Sequence, residues 1–341
     1  MPHPRNAWAE PGPDEVSPGV YRVPLPLLLD SLHAVNVYVV EDESGLTVID
    51  SGWANPGTRA ALTTGLHSLG HDIGDVSQFL VTHAHWDHYT QAIALRREFG
   101  TAVRIGIGER PTIDAFAAGD TRAYPEQARL LRRAGASDLA RDIEAWQMTD
   151  DELAMPFGEP DTWLADGEKV ALSNRTLEVI ATPGHTRGHI VLRDADAGLL
   201  FAGDHVLPHI TPSIGLERAP EPAPLRSYLA SLELLRDQPD VVLLPAHGPV
   251  TTSVHTRVVE LLEHHEKRLA EVLSHLRVGH TCAYDIANVM RWTRHERALD
   301  DLDLSNRMMA VLEIQAHLDV LEMSGIAVAV ETEPTARFIA R

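Results

Sequence analysis

The sequence predicts an α+β protein with a larger mixed domain at residues 1–250 and a smaller helical domain at residues 251–341. Short apolar runs, separated by Gly, Pro and acidic residues, indicate strands interspersed with helices in the larger domain. The remainder shows three helical patterns followed by a hairpin. A chain of 341 residues is long enough for one large and one small domain.

The larger domain begins with a Pro-rich segment at residues 1–20, which we expect to be a loosely held arm. A helix is expected at 56–70, because Pro56 stands in its first turn and Gly70 follows its end. Strands are predicted at 21–27, 35–40, 46–50, 79–81, 103–107, 162–164, 169–172, 177–181, 190–193, 199–202 and 241–244, with further helices at 90–99 and 225–236.

The segment 109–165 is predicted to be an inserted helical cap, because it is too long and too regular for a simple connection. Its part at 122–141 holds five basic and two acidic residues, so five minus two gives a local charge of +3. These residues are Arg122, Arg129, Arg132, Arg133 and Arg141 against Glu126 and Asp138. A solvated helix face explains this excess without a ligand. The alternative is a lid whose arginines contact an anionic substrate.

Helices are predicted at 256–277, 281–290 and 305–324, and strands at 326–331 and 336–340 form the final hairpin. This order of three helices and a hairpin is typical of a winged helix. The helix at 256–277 is long and amphipathic, which suggests a homodimer.

Four side chains that can bind a metal fall within six residues, directly after the apolar run 79–81: His83, His85, Asp87 and His88. Imidazole and carboxylate together suit zinc, or less commonly iron or manganese, better than calcium or magnesium. A tight loop can turn His83 and His85 toward one ion, while Asp87 and His88 can hold a second ion from the next turn. Surface histidines are the alternative, since the chain contains 19 His.

Three later apolar runs also end in Gly or Pro beside a His or Asp, at His185, Asp204 and His247. Glycine allows the backbone to turn sharply, and loops above a rigid sheet commonly carry functional residues. Other polar residues lie beside these positions. We expect Asp50 to support ligands by hydrogen bonds, and His189 and His205 either to do the same or to lie in the core. His209 is a candidate for contact with the substrate pocket, and a position away from the pocket is the favoured alternative. His264 and His265 are expected at the surface or in an interface.

The ordered series His83, His85, Asp87, His88, His185, Asp204 and His247 resembles the metallo-β-lactamase-fold hydrolase superfamily over residues 16–250. This resemblance implies a four-layer αββα sandwich with two metal ions. His83, His85 and His185 would hold the first metal, Asp87, His88 and His247 the second, and Asp204 would bridge them. In having an Asp at the bridging position, the sequence resembles the glyoxalase II, lactonase and RNase Z branches.

The C-terminal pattern resembles the branch of β-lactamase-like proteins with an appended winged helix. That branch includes thioester-hydrolase-like proteins and a single-strand endoribonuclease. Two zinc ions, with iron or manganese as alternatives, would lower the pKa of a bridging water and produce a hydroxide nucleophile at neutral pH. Asp87 would orient that nucleophile or take up a proton, which makes it the catalytic residue besides its role as a ligand.

We therefore expect a metal-dependent hydrolase that cleaves a small acyl compound: a thioester, ester or lactone. A phosphodiesterase or endoribonuclease would use the same metals, and a non-catalytic or redox protein is a third alternative. The glutathione-binding C-terminus of glyoxalase II and a flavodoxin-like stretch are not recognisable in the sequence.

The charge disfavours a nucleic-acid partner. The formal net charge is −20, and the segment 251–341 has ten basic and fourteen acidic residues, a net of −4. The sequence has no evident secretory signal or membrane-spanning run, and Cys282 is its only cysteine. These features predict a cytoplasmic protein that acts on a small molecule without a membrane partner.

Overall fold

The computed structural model of the protein describes residues 4–27, 32–43, 45–293, 295–331 and 333–341. Its strands are β1 (Asp14–Ser17), β2 (Val20–Pro26), β3 (Ala34–Asp42), β4 (Gly45–Ile49), β5 (Val76–Val81), β6 (Ala102–Gly106), β7 (Thr162–Leu164), β8 (Lys169–Ala171), β9 (Thr176–Ala181), β10 (Ile190–Asp194), β11 (Leu199–Gly203), β12 (Val242–Pro245), β13 (Ala327–Glu331) and β14 (Arg337–Ala340). Its α-helices are α1 (Pro56–Ser68), α2 (Trp86–Phe99), α3 (Arg110–Ala117), α4 (Pro125–Arg133), α5 (Ser137–Ala145), α6 (Asp150–Leu153), α7 (Pro224–Arg236), α8 (Val254–Arg277), α9 (Ala283–Val289) and α10 (Leu304–Met323).

Two large sheets form the centre of the protein. The first has the order β1-β2-β3-β4-β5-β6-β7. It is antiparallel from β1 to β4 and parallel from β4 to β7. The second has the order β12-β11-β10-β9-β8. It is antiparallel from β8 to β11, and β12 joins β11 in parallel. Strands β13 and β14 form a separate hairpin.

The alternation of side chains along each strand produces four layers. In β5, Leu80 faces the core between the two sheets, whereas Phe79 and Val81 pack against α1 and α2 on the opposite face. In β10, Leu192 faces the same inter-sheet core, whereas Val191 packs against α7 and α8. The predicted αββα sandwich is therefore confirmed.

The region predicted as a cap is helical, but its arginines are already paired. Asp120 and Glu144 lie just outside 122–141, and Asp319 lies on α10. The pairs are Arg122–Asp120, Arg129–Glu126, Arg132–Glu144, Arg133–Asp319 and Arg141–Asp138. The local excess of positive charge is thus neutralised within the protein, and it gives no support to an anion-binding lid.

The cap and the C-terminal helices share one hydrophobic core. Leu131 and Ile143 of the cap are fully buried with Val311 and Ile314 of α10. Backbone bonds add to this contact, since Ala336 N donates to Arg133 O at 2.7 Å. The cap is therefore fixed against the C-terminal segment by packing of the kind found in domain interiors.

The N-terminal arm differs from the prediction. Strand β1 pairs with β2, residues Pro4–Ala9 form a 3-10 helix, and residues 1–3 lie outside the described part of the chain. The Arg22 side chain holds this segment, because it forms an ion pair with Asp14 and donates to Trp8 O at 2.7 Å. The C-terminal region contains the expected helices and hairpin. In the described ranges, no helix combines the length and apolarity needed to cross a bilayer.

Candidate metal centre

The predicted ligands come together at one edge of the sandwich, where several strands end. His83 and His85 follow β5, and Asp87 and His88 lie in the first turn of α2. His185, Asp204 and His247 follow β9, β11 and β12. The helix was expected to begin near Thr90, but it begins at Trp86. Asp87 is therefore near the positive end of the helix dipole, which favours a carboxylate.

The first group contains His83, His85, His185 and Asp204. His83 Nε2 lies 3.0 Å from His85 Nδ1 and 3.3 Å from His185 Nε2, and His185 Nε2 lies 3.1 Å from His85 Nδ1. A tetrahedral zinc ion with bonds of about 2.0–2.1 Å to nitrogen requires ligand atoms about 3.3 Å apart. The three nitrogens thus have the separation that one small ion needs.

The second group contains Asp87, His88 and His247. Asp87 Oδ2 lies 3.6 Å from His88 Nε2 and 3.5 Å from His247 Nε2. All three side chains are almost fully buried. The group is a compact set of two imidazole nitrogens and one carboxylate that can hold a second ion.

Asp204 lies between the two groups. Its Oδ2 is 3.5 Å from His185 Nε2, and its Oδ1 is 3.4 Å from His247 Nε2 and 3.7 Å from His88 Nε2. One oxygen therefore faces each group, which is the arrangement that a bridging carboxylate requires. The preceding Gly203 has φ of 49°, and a Cβ there would lie 2.6 Å from Thr82 Oγ1. Only glycine fits this turn without displacing the metal-site loop.

Each of the five candidate histidine ligands has one nitrogen toward the group and the other against an oxygen atom. The outer contacts are His83 Nδ1 to Thr82 Oγ1 (3.0 Å), His85 Nε2 to Leu216 O (2.8 Å), His88 Nδ1 to Asp50 Oδ2 (2.9 Å), His185 Nδ1 to Ser213 O (2.7 Å) and His247 Nδ1 to Ala34 O (2.8 Å). A carbonyl or carboxylate partner keeps the proton on the outer nitrogen and leaves the inner lone pair free for a metal.

Some inward atoms have no hydrogen-bond partner among the described residues. His88 Nε2, His247 Nε2 and Asp204 Oδ1 are buried and unpaired. Leaving such groups unsatisfied costs about 1–3 kcal/mol each, so their grouping at one point indicates a missing ligand. Their donor types fit divalent zinc, iron or manganese.

Asp50 holds the two loops of the site together, as expected. Its carboxylate accepts from Thr82 N at 2.8 Å and from Thr82 Oγ1 at 3.0 Å, and it accepts from His88 Nδ1. Its φ of 59° is in the left-handed region, which Asp tolerates better than most residues. This backbone conformation turns the carboxylate at the end of β4 toward β5 and α2.

Burial and charge act differently on the histidines of the two groups. Burial, with the neighbouring histidines, holds the pKa of His83 and of His185 well below the ordinary value. Burial also acts to lower the pKa of His88, but Asp87, Asp50 and Asp204 outweigh it and raise that pKa to about 10. Without metal, the histidines of the first group are therefore neutral at pH 7, whereas His88 is a positively charged imidazolium.

The remaining histidines have mixed outcomes. His189 supports the site as expected, because its Nε2 accepts from Asp204 N at 3.2 Å and its Nδ1 lies 2.9 Å from Thr182 Oγ1. His205 is buried with its ring against Tyr228, and His209 is exposed. The surface prediction is wrong for His265, which is 2% exposed and lies 3.3 Å from His317 through their ring nitrogens.

Several supporting groups could not be recognised in the sequence. The carbonyls of Ala34, Ser213 and Leu216 are backbone atoms, which every residue carries, so no sequence signal distinguishes them. The pair Trp53 and Trp86 was also missed. These rings pack edge to face with centroids 4.8 Å apart, and Trp86 stands between two candidate ligands in the sequence.

Comparison with known proteins agrees with this geometry. Two crystal structures superpose on nearly the whole chain. A metallo-beta-lactamase family protein from Thermus thermophilus has a TM-score of 0.77 and 26% identity, covering 96% of this chain and 100% of that one. A beta-lactamase domain protein from Burkholderia ambifaria has a TM-score of 0.78 and 27% identity, covering 98% and 94%.

Curated relatives match over different lengths. The Beta-lactamase-like protein 2 homolog of Caenorhabditis elegans is 35% identical over 115 residues, 34% of this chain and 36% of that protein. The match to the Lactamase-like protein nscB of Aspergillus fumigatus is 34% identical and also local, covering 33% of this chain and 31% of that protein. The Probable metallo-hydrolase YqjP of Bacillus subtilis is 26% identical over 88% of this chain and 91% of its own length.

The family model of the metallo-beta-lactamase superfamily matches residues 31–247, more than half of the chain. The matched range contains all seven predicted ligands and both large sheets from β3 onward. The chain therefore belongs to the metallo-beta-lactamase superfamily of hydrolases.

Proposed function

We propose that the protein is a dinuclear zinc hydrolase that cleaves a small acyl substrate: a thioester, ester or lactone. The observation that carries this proposal is the position of Asp204, with one oxygen toward each of two compact groups of ligand atoms. Two metal ions held there would supply an ionised water as the nucleophile and polarise the substrate carbonyl.

The protein's own contribution is orientation and proton transfer. The carboxylate of Asp87 is 5% exposed, and it lies within the cluster at the first turn of α2. From this position it can accept a hydrogen bond from the attacking water and pass a proton to the leaving group. The outer partners of the histidines hold the imidazole rings still, so that little reorganisation is needed during the reaction.

The surroundings favour a small substrate over a nucleic acid. The net charge of −20 opposes a phosphate backbone. Helix α10, the candidate recognition helix of a winged helix, is packed between the cap and the other C-terminal helices, with Val311, Ile314 and Leu318 fully buried. It is therefore not free to enter a groove. Trp86 directly follows the candidate ligand His85, and its half-buried ring packs on that of Trp53, so we propose that these rings contact the acyl group.

The test is turnover by the zinc-loaded protein on a panel of substrates. The panel contains an acyl-CoA, a glutathione thioester, a lactone, bis(p-nitrophenyl) phosphate and a single-stranded RNA. We expect hydrolysis of at least one acyl compound and none of the RNA. Asp87→Asn should reduce kcat by about 10²- to 10⁴-fold, the usual contribution of a general base.

The matched control is Asp138→Asn, which changes an exposed Asp on α5 that pairs with Arg141. It should retain full activity. If the wild type cleaves the RNA and Asp87→Asn does not, the phosphodiesterase alternative replaces the proposal of acyl hydrolysis. If Asp87→Asn hydrolyses the acyl substrate as fast as the wild type, Asp87 has no part in the mechanism.

A further inference from the structure

We propose that Glu217 is a positioning residue that fixes the segment 213–217 against the first metal group and connects this group to the helical cap. The inference rests on the metal assignment proposed above, but it concerns a residue outside the ligand set. Glu217 is 6% exposed, and it lies in the connection between β11 and α7.

The segment 213–217 provides the outer partners of two candidate ligands. Ser213 O lies 2.7 Å from His185 Nδ1, and Leu216 O lies 2.8 Å from His85 Nε2. These carbonyls accept a hydrogen bond from the outer N–H of each ring, so they determine which nitrogen has the free lone pair. A small displacement of this segment would rotate both rings, or it would break the hydrogen bonds that keep the proton on the outer nitrogen of each ring.

The Glu217 side chain holds the segment at both sides. Its Oε1 accepts from Arg187 N at 2.7 Å, two residues after His185, and its Oε2 accepts from Thr112 Oγ1 of α3 at 2.6 Å. The Glu217 carbonyl accepts from Gln127 Nε2 of α4 at 2.7 Å. One residue thus joins the loop after β9, the first cap helix and the second cap helix.

The neighbouring residue extends the connection to the cap. Arg218 donates to Asp120 O at 2.7 Å and to Arg122 O at 3.0 Å, and its guanidinium lies 4.8 Å from the centre of the Phe116 ring. Since the cap shares its core with the C-terminal helices, a continuous set of contacts runs from α10 to the rings of His85 and His185. This contiguity explains how the cap can support the metal centre without contributing a ligand.

The chemistry of the Glu217 carboxyl group suggests a pair of substitutions that tests whether the residue acts by positioning. Burial raises the pKa of Glu217 to about 7, so a neutral isostere disturbs this site little. In Glu217→Gln, the amide oxygen can accept from Arg187 N while the amide nitrogen donates to Thr112 Oγ1. In Glu217→Ala both bonds are lost. A residue that acts by positioning should tolerate Gln and not Ala.

The experiment measures Co²⁺ binding to metal-free protein, by competition with a chromogenic chelator and by the visible Co²⁺ spectrum. Loss of a supporting hydrogen bond typically weakens metal binding by about 10- to 100-fold. We expect Glu217→Ala to show this loss at one of the two sites and to shift that site's spectrum, with the other site unchanged. Glu217→Gln should resemble the wild type.

The matched control is Glu221→Ala, because Glu221 lies on the same connection but bonds to Ser227 of α7 at 2.9 Å. It should bind Co²⁺ like the wild type. If Glu217→Ala does not fold, Thr112→Val tests the same connection by removing only the cap-side bond. It should produce a smaller loss at the same site.

Two results would overturn the inference. In one, folded Glu217→Ala and Thr112→Val bind both Co²⁺ ions with wild-type affinity and spectrum, as they would if Glu217 contributed only to stability. In the other, Glu217→Gln loses as much affinity as Glu217→Ala, which would indicate a role of charge. A wild-type protein that binds no Co²⁺ would refute the metal assignment itself. Two bound ions without acyl turnover would refute only the proposed reaction.

Discussion

Removal of the bridging carboxylate should separate metal binding from folding. Asp204 is 7% exposed, and its Oδ1 makes no hydrogen bond among the described residues. Its Oδ1 faces His88 and His247, the two imidazoles that the Asp87 carboxylate also faces. Without metal, the proton on His88 offsets only one of the three buried carboxylates around it, and the excess of negative charge is unfavourable to the folded state. We therefore expect metal-free Asp204→Ala to be at least as stable as the metal-free wild type.

Zinc should stabilise the wild type much more than it stabilises Asp204→Ala. With free zinc at 100 times its Kd, each site adds about 2.7 kcal/mol to the free energy of unfolding, so two sites add about 5 kcal/mol. Asp204→Ala removes one of four donor atoms from each site. If each affinity falls by about 100-fold, the same zinc concentration adds only about 0.4 kcal/mol per site, or about 1 kcal/mol in total.

Urea denaturation followed by tryptophan fluorescence, with and without zinc, measures this difference. His209→Ala serves as the control, because His209 is exposed and follows the same strand, and it should retain the full stabilisation by zinc. The bridging role would be refuted if Asp204→Ala gained as much stability from zinc as the wild type. The bridging role would also be refuted if metal-free Asp204→Ala were several kcal/mol less stable than the metal-free wild type.

Three further predictions concern the second site and the core. Asp50→Ala should weaken the second metal by about 10- to 100-fold in chelator competition. It should weaken the first metal less, because Asp50 contacts His88 directly but reaches His83 only through Thr82; equal weakening of both would contradict the role of Asp50. The His88 pKa of about 10 lies above the ordinary value, so filling the second site should release about one more proton at pH 8 than well above pH 10, in addition to any proton from the metal-bound water. Calorimetry in buffers of different ionisation enthalpy measures this difference, and an equal release at both pH values would be inconsistent with a charged His88. Leu80→Ala should lower the free energy of unfolding by about 2–5 kcal/mol, and a loss below about 1 kcal/mol would argue against a closely packed inter-sheet core.

The sandwich and the grouping of the seven candidate ligands could be predicted because both depend on local patterns. Alternating apolar residues define the two faces of β5 and β10, and each candidate ligand follows the end of a strand. The start of α2 was less predictable. Asp87 and His88 were assigned to the loop because polar ligands resemble loop residues, but the first turn of a helix also accommodates them.

The connections around the site depend on tertiary contacts that the sequence does not encode locally. Glu217 resembles any acidic residue in a Pro-rich loop until its contacts with Thr112 and Arg187 are known. Three of the five cap arginines, Arg122, Arg132 and Arg133, pair with acids outside the counted window, so the count of +3 overstated the unpaired positive charge of the cap. His265 is adjacent to the half-buried His264 on α8, and only the helix orientation shows that it is buried.

We propose that seven side chains hold two metal ions, with Asp204 between the ions. The most direct measurement is a crystal structure of the zinc-loaded protein with data collected at the zinc absorption edge. We expect two anomalous peaks about 3.5–4 Å apart, one beside His83, His85 and His185 and the other beside Asp87, His88 and His247, with one oxygen of Asp204 facing each peak. A single peak, or zinc bound away from Asp204, would contradict it.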